Sequence, residues 1–256
     1  MKPARDIPRK LRGAWLAALA AVALGGGGCA TTGPNHVYYT TGSSPAVHDL
    51  GPPPAAVPGD FRPDEPALGL AYDYNTDHLF VRLTQVIRVI ERPSGKILRE
   101  LPLPAELRTA ASADLAVRSS DRHLFVMGPD LHSVVELTLA GELVRHIEFA
   151  GLAGPVSGLA YDQSGDRLLI LSASGEGARI GALNPDGKVT YYVTLSAPVS
   201  PVSLGYDSAA RHFFVPLADN RTLGEFDASG QLVASQPVAG AITALDAGPR
   251  SFVRVF

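Results

Sequence analysis

Five variants of one short phrase recur along the chain: Gly69-Leu-Ala-Tyr-Asp73, Asp114-Leu-Ala-Val-Arg118, Gly158-Leu-Ala-Tyr-Asp162, Ser203-Leu-Gly-Tyr-Asp207 and the degenerate Ile242-Thr-Ala-Leu-Asp246. Their last residues are spaced by 45, 44, 45 and 39 positions, a period that belongs to solenoids, propellers and arrays. A second apolar run follows each of the first four phrases after a polar turn: His78-Leu-Phe-Val81, His123-Leu-Phe-Val126, Arg167-Leu-Leu-Ile170 and His212-Phe-Phe-Val215. Two strands joined by a tight connection are implied. Third runs over Val86–Ile90, Val134–Leu139, Ile180–Leu183 and Leu223–Phe226 end in turns containing Gly95, Gly141, Gly187 and Gly230. Fourth runs over Ile97–Leu101, Leu143–Ile147, Val189–Leu195 and Leu232–Val238 complete each unit.

Four short antiparallel strands per repeat describe a propeller blade. The runs are short, rich in Val, Ile, Phe and Tyr, and broken throughout by turn residues, which argues against a helical solenoid. A β-sandwich also strings short strands together, but nothing in it requires every fourth strand to begin with the same words. The expected fold is therefore an all-β propeller of four-stranded blades over residues 66–256. Phe214-Val-Pro-Leu-Ala-Asp219-Asn-Arg-Thr-Leu-Gly-Glu-Phe226-Asp-Ala-Ser-Gly230 resembles the NHL and YVTN type of bacterial β-propeller repeat. That likeness spans about residues 66–256 and implies the fold, while the stretches after Val81, Val126 and Leu171 depart from the Asp-x-x-Asn-x-Arg pattern.

At the N-terminus, Lys2, Arg5, Arg9, Lys10 and Arg12 precede an apolar stretch from Gly13 to Leu24 and four glycines before Cys29. This is the layout of a secretory signal peptide over residues 1–28, and the stretch falls short of the roughly 20 apolar residues a membrane span needs. Cys29 is the sole cysteine, so no intramolecular disulfide forms. Its setting resembles a bacterial lipobox, with Gly26 where that pattern has an apolar residue. The resemblance implies diacylation at Cys29 and a lipoprotein held in the cell envelope, at the outer membrane facing the periplasm. Two or more acyl chains hold a protein stably where one does not.

Removing residues 1–28 takes a charge of +4 from a chain of net charge −3, leaving −7, which argues against a nucleic-acid partner. Residues 29–65 are rich in Gly, Ser and Pro and read as a tether. Within them His36-Val-Tyr-Tyr echoes His78-Leu-Phe-Val, so this segment is also expected to supply a strand that closes the ring. The C-terminal phrase is expected to provide two strands, Ile242–Leu245 and Phe252–Phe256, with five blades resulting.

His36, His78, His123 and His212 read as equivalent positions at blade edges, too far apart to share one ion. Asp73, Asp162, Asp207 and Asp246 read as carboxylates that fix the turns they open. A ligand site is expected on the face carrying the loops that enter each blade and those between its second and third strands. The candidates by position are Arg82, Gln85, Asp130, His132, Glu176, Arg179, Asp219, Asn220 and Arg221. No catalytic residue, metal site or cofactor is assigned: Gly-x-Ser-x-Gly and His-Glu-x-x-His are both missing from the sequence.

A non-catalytic module that binds or scaffolds another envelope protein ranks first. A metal-dependent propeller hydrolase or lactonase using Glu176, Asp219 and Asn220 ranks second, and a small-molecule sensor third.

Overall fold

The computed structural model describes residues 32–51, 53–62, 64–108, 113–150, 156–174 and 177–251. Every sheet among them has four antiparallel strands, and there are five. The first two repeats give β4 (Gly69–Asp73), β5 (His78–Arg82), β6 (Val86–Glu91) and β7 (Lys96–Pro102) as blade 2, then β8 (Leu115–Arg118), β9 (His123–Met127), β10 (Ser133–Thr138) and β11 (Leu143–Glu148) as blade 3. The next two give β12 (Val156–Asp162), β13 (Arg167–Ser174), β14 (Gly177–Leu183) and β15 (Val189–Thr194) as blade 4, then β16 (Gly205–Asp207), β17 (His212–Pro216), β18 (Thr222–Phe226) and β19 (Leu232–Pro237) as blade 5. The expected runs and the strands coincide to within a few residues. The protein is a five-bladed β-propeller.

Blade 1 is shared by the two ends of the chain. Its innermost strand is β20 (Ile242–Ser251), and its outer three are β1 (Thr32–Thr41), β2 (Ala46–Asp49) and β3 (Ala55–Pro58). The C-terminal phrase contributes the long strand β20, and the second strand expected over Phe252–Phe256 lies outside the described residues. The Gly- and Pro-rich segment holds three strands, because Val37, Tyr38, Tyr39, Val47 and Val57 are apolar side chains that bury against the neighbouring blades. Tyr38 pairs with Asp246 as His78 pairs with Asp73. His36 thus sits two residues upstream of the position held by His78, and the resemblance of the two tetrapeptides does not carry the register.

Alternation along each inner strand sends side chains to both faces of its blade. Leu70 and Tyr72 pack with Tyr38, Val47 and Ala244 of blade 1, while Ala71 between them packs with Leu115, Leu124 and Val126 of blade 3. The other three blade junctions hold apolar clusters of the same kind. The core is therefore five slabs between blades.

The turns between third and fourth strands place Gly187 and Gly230 at φ +81° and +84°. A side chain there would also collide with the carbonyl oxygens of Glu148 and Thr194 in the preceding blade. Gly230→Ala is expected to cost about 2 kcal/mol, from left-handed backbone strain plus the lost close approach. Urea unfolding checks this as a lower midpoint at unchanged slope.

Candidate functional site

The inner strands leave one edge each without a strand partner, and these edges converge on the ring axis. Two carboxyl groups satisfy amides there. Asp114 stands where blades 2 and 4 have Gly69 and Gly158, and its Oδ2 accepts from the backbone amides of Leu159 at 2.8 Å and Leu204 at 3.1 Å. It thereby ties blade 3 to blades 4 and 5. Asp246 Oδ2 accepts from the Tyr72 amide at 2.8 Å and Oδ1 from that of Ala247 at 2.8 Å, with the Tyr206 amide also bonded to the carboxyl. It ties blade 1 to blades 2 and 5.

Ser203 adds a second link between blades 5 and 1, its Oγ accepting from the Leu245 amide and donating to the Leu245 carbonyl. Asp246 therefore differs from the other turn carboxylates. Asp73, Asp162 and Asp207 bond amides of their own turns, as expected from sequence, whereas Asp246 reaches across the axis.

Burial raises the pKa of both groups, to about 7 for Asp246 and well above the ordinary value for Asp114. Each therefore holds its proton at pH values where an exposed aspartate has lost it.

Each end of the axis opens into a cavity. On the face of the first hairpin turns lies a funnel of about 210 Å³, lined by Tyr72, Tyr74, Tyr161, Gln163, Tyr206, Ser208 and Asp246 among others. Its rim is a chain of turn-to-turn bonds: Asn75 Nδ2 donates to the Ser119 carbonyl, the Ser119 amide to Gln163 Oε1, and the Gln163 amide to Ser208 Oγ. On the opposite, entry-loop face lies a shallower depression of about 460 Å³ walled by Pro66, Ala67, Leu68, Pro201, Val202 and Ile242, with Asn220 at its side.

The sequence-predicted loop residues are not brought together in one site. Arg82 is buried, and its guanidinium donates to the carbonyls of Met127 at 3.2 Å and Leu107 at 2.7 Å, joining blade 2 to blade 3. Burial lowers its pKa to about 10, so it stays charged at neutral pH. Gln85, Asp130, His132, Asp219 and Arg221 are exposed, while Arg179 is half-buried. Asp130 and Asp219 are engaged in their own turns through Ser133 and Thr222. Asn220 reaches the rim of the entry-face depression and donates to the Ile242 carbonyl. Glu176 and Cys29 lie outside the described residues.

Three of the histidines pair with carboxylates inside their own blades. Nδ1 lies 2.7 Å from Asp49 Oδ1 for His36, 2.7 Å from Glu136 for His123 and 2.6 Å from Glu225 for His212. In all three the carboxylate is thirteen residues on, a spacing visible in the sequence but readable only once strand register is known. Asp121, His123 and Glu136 converge closely enough to suggest a cation site. The Arg118 guanidinium instead bridges Asp121 and Glu136 at 2.5 and 2.7 Å, and Arg145 bonds Glu136 at 2.6 Å. Two fixed positive charges there make the group an ion-pair cluster.

No family model matches the chain, and no curated protein matches it. Among solved structures, a nidogen/laminin complex aligns at TM-score 0.59 and 11% identity, over 83% of this chain and 98% of the other. A protein of unknown function from Bacteroides caccae aligns at TM-score 0.47 and 13% identity, over 84% and 98%. Kuenenia stuttgartiensis hydrazine synthase aligns at 0.45 and 14%, over 67% and 49%. The first likeness shows the propeller fold.

Asp246 gives a signed pH dependence. Its native pKa of about 7 exceeds the ordinary 3.8, so between those values the native state binds the extra proton and stability falls as pH rises. Asp246→Asn removes that contribution. Between pH 5 and 7, thermal or urea unfolding is expected to show the variant gaining on the wild type by up to about 1.4 kcal/mol per pH unit.

Proposed function

We propose that this protein is an envelope lipoprotein whose propeller is a non-catalytic docking module for another envelope protein. The observation that carries the proposal is where the chain enters the ring. Thr32 pairs with Ser251, and Asp246, which pairs with Tyr38, already marks the level of the first hairpin turns. The segment of β1 and β20 beyond that pair runs out on the hairpin side as a two-stranded ribbon. Cys29 lies three residues before Thr32. Acylation there would draw the hairpin face toward the lipid and turn the entry-loop face away from it.

The entry-loop face has the features of a protein-docking surface. Its centre is the depression walled by proline and aliphatic side chains, and its periphery carries the polar loop residues Gln85, Asp130, His132, Asp219, Asn220 and Arg221. An apolar centre inside a polar rim is the usual anatomy of a protein interface. The loops are also well held. The Leu103 amide donates to the Gln85 carbonyl, Phe149 to His132, Val238 to Arg221 and Ile242 to Asn220, so a partner would meet a preformed surface. The fold recurs in a nidogen/laminin complex.

Two measurements test the reading. Cys29→Ala is expected to leave a folded propeller that is no longer acylated and no longer sediments with membranes. A photo-reactive side chain at Val202 is expected to give a discrete protein adduct in the native envelope, while one at Ala209 on the hairpin face gives none. Continued acylation and membrane attachment of Cys29→Ala refutes the anchor, and adducts from Ala209 alone refute the docking face.

A further inference from the structure

The hairpin-face funnel has a carboxyl group, Asp246, that forms no ion pair among the described residues. It is held by the amides of Tyr72, Ala247 and Tyr206. An ionised carboxylate removed from water is costly unless a cation shares the site. The raised pKa of Asp246 reflects that cost.

The walls supply the second observation. The chain has 8 tyrosines, and Tyr72, Tyr74, Tyr161 and Tyr206 all line this one cavity. The hydroxyls of Tyr72 and Tyr161 donate to Asp77 at 3.0 Å and Asp166 at 2.8 Å, so those two phenols are already committed within their hairpins. Ring carbon is what these residues add to the lining. Aromatic walls attract cations through the ring quadrupole and lose little by displacing their own water. A hard metal ion fits less well, since it takes six or more oxygen ligands and Asp246 is the one carboxylate in the lining among the described residues.

We infer that the hairpin-face funnel binds a small organic ammonium ion, with the Asp246 carboxylate as its counter-ion and the tyrosine rings as its cage. The volume of about 210 Å³ restricts the ligand to a compact head group. Binding draws Asp246 into its ionised form, so ligand uptake releases a proton when the free protein carries one. The site is independent of the anchor and of the entry-loop face, and either can fail without the other.

Calorimetric titration of the full chain in detergent tests this with two probes of the same shape, choline and its neutral analogue 3,3-dimethyl-1-butanol. The expected result is saturable one-to-one binding of choline, at least about tenfold tighter than the alcohol, a difference of about 1.4 kcal/mol. Asp246→Asn, whose single amide oxygen keeps the backbone bonds of one carboxyl oxygen and loses those of the other, is expected to bring choline down to the affinity of the alcohol. Tyr74→Leu at the rim is expected to weaken choline several-fold in a protein with an unchanged circular dichroism spectrum. Equal binding of the two probes, binding of neither, or choline affinity that survives Asp246→Asn overturns the inference. Should Asp246→Asn fail to fold, the probe comparison in the wild type and Tyr74→Leu decide it.

Discussion

The innermost strand of every blade has one edge with no strand beside it, and five such edges meet on the axis. Their amides are buried, so each needs a hydrogen-bond acceptor that the sheet itself does not provide. Asp114 and Asp246 answer this from opposite ends of the inner strands, each reaching two other blades. Arg82 performs the converse task between blades 2 and 3, carrying donors to the carbonyls of Met127 and Leu107. The ring is thus stitched by polar side chains along the axis and glued by apolar slabs between blades. These are different kinds of interaction with different roles. The slabs supply most of the favourable free energy, which scales with apolar area removed from water, and the axial groups specify how the blades sit against one another.

Blade architecture was largely legible in the sequence because it is local. The phrase spacing, the turn glycines and the four short runs per repeat each depend on residues within one blade, and the strands fall where those signals place them. Ring closure was legible in outline only. The Gly and Pro content of residues 29–65 suggested a tether, yet Val37, Tyr38, Tyr39, Val47 and Val57 are enough apolar side chains to bury three strands. Composition averaged over the segment hides a pattern that matters residue by residue.

The axial groups were not legible, for a reason that follows from geometry. Asp246 stands in the phrase where Asp73, Asp162 and Asp207 stand, and by type alone it belongs with them. Its partners Tyr72 and Tyr206 are 174 and 40 residues away in sequence, and their proximity depends on the curvature of the closed ring. Asp114 carried a hint, since a carboxylate replaces the small residue of the other repeats, but one chain does not say whether such a change is functional. Arg82 departs from the rule that a charged residue at the end of a strand faces water, because the carbonyls of Met127 and Leu107 lie within its reach.

The sharing of blade 1 between the two ends of the chain also sets the order in which this protein can become itself. Strands β1, β2 and β3 exist early in a chain made from its N-terminus, but their inner strand β20 arrives only after some 200 intervening residues. Until then Tyr38, Val47 and Val57 have neither β20 nor their full slab to bury against, and the other four blades form an open arc. An open array of repeats gains stability step by step as units are added. Here β20 completes a blade, two interfaces and the axial bonding at once, so stability comes late and all together.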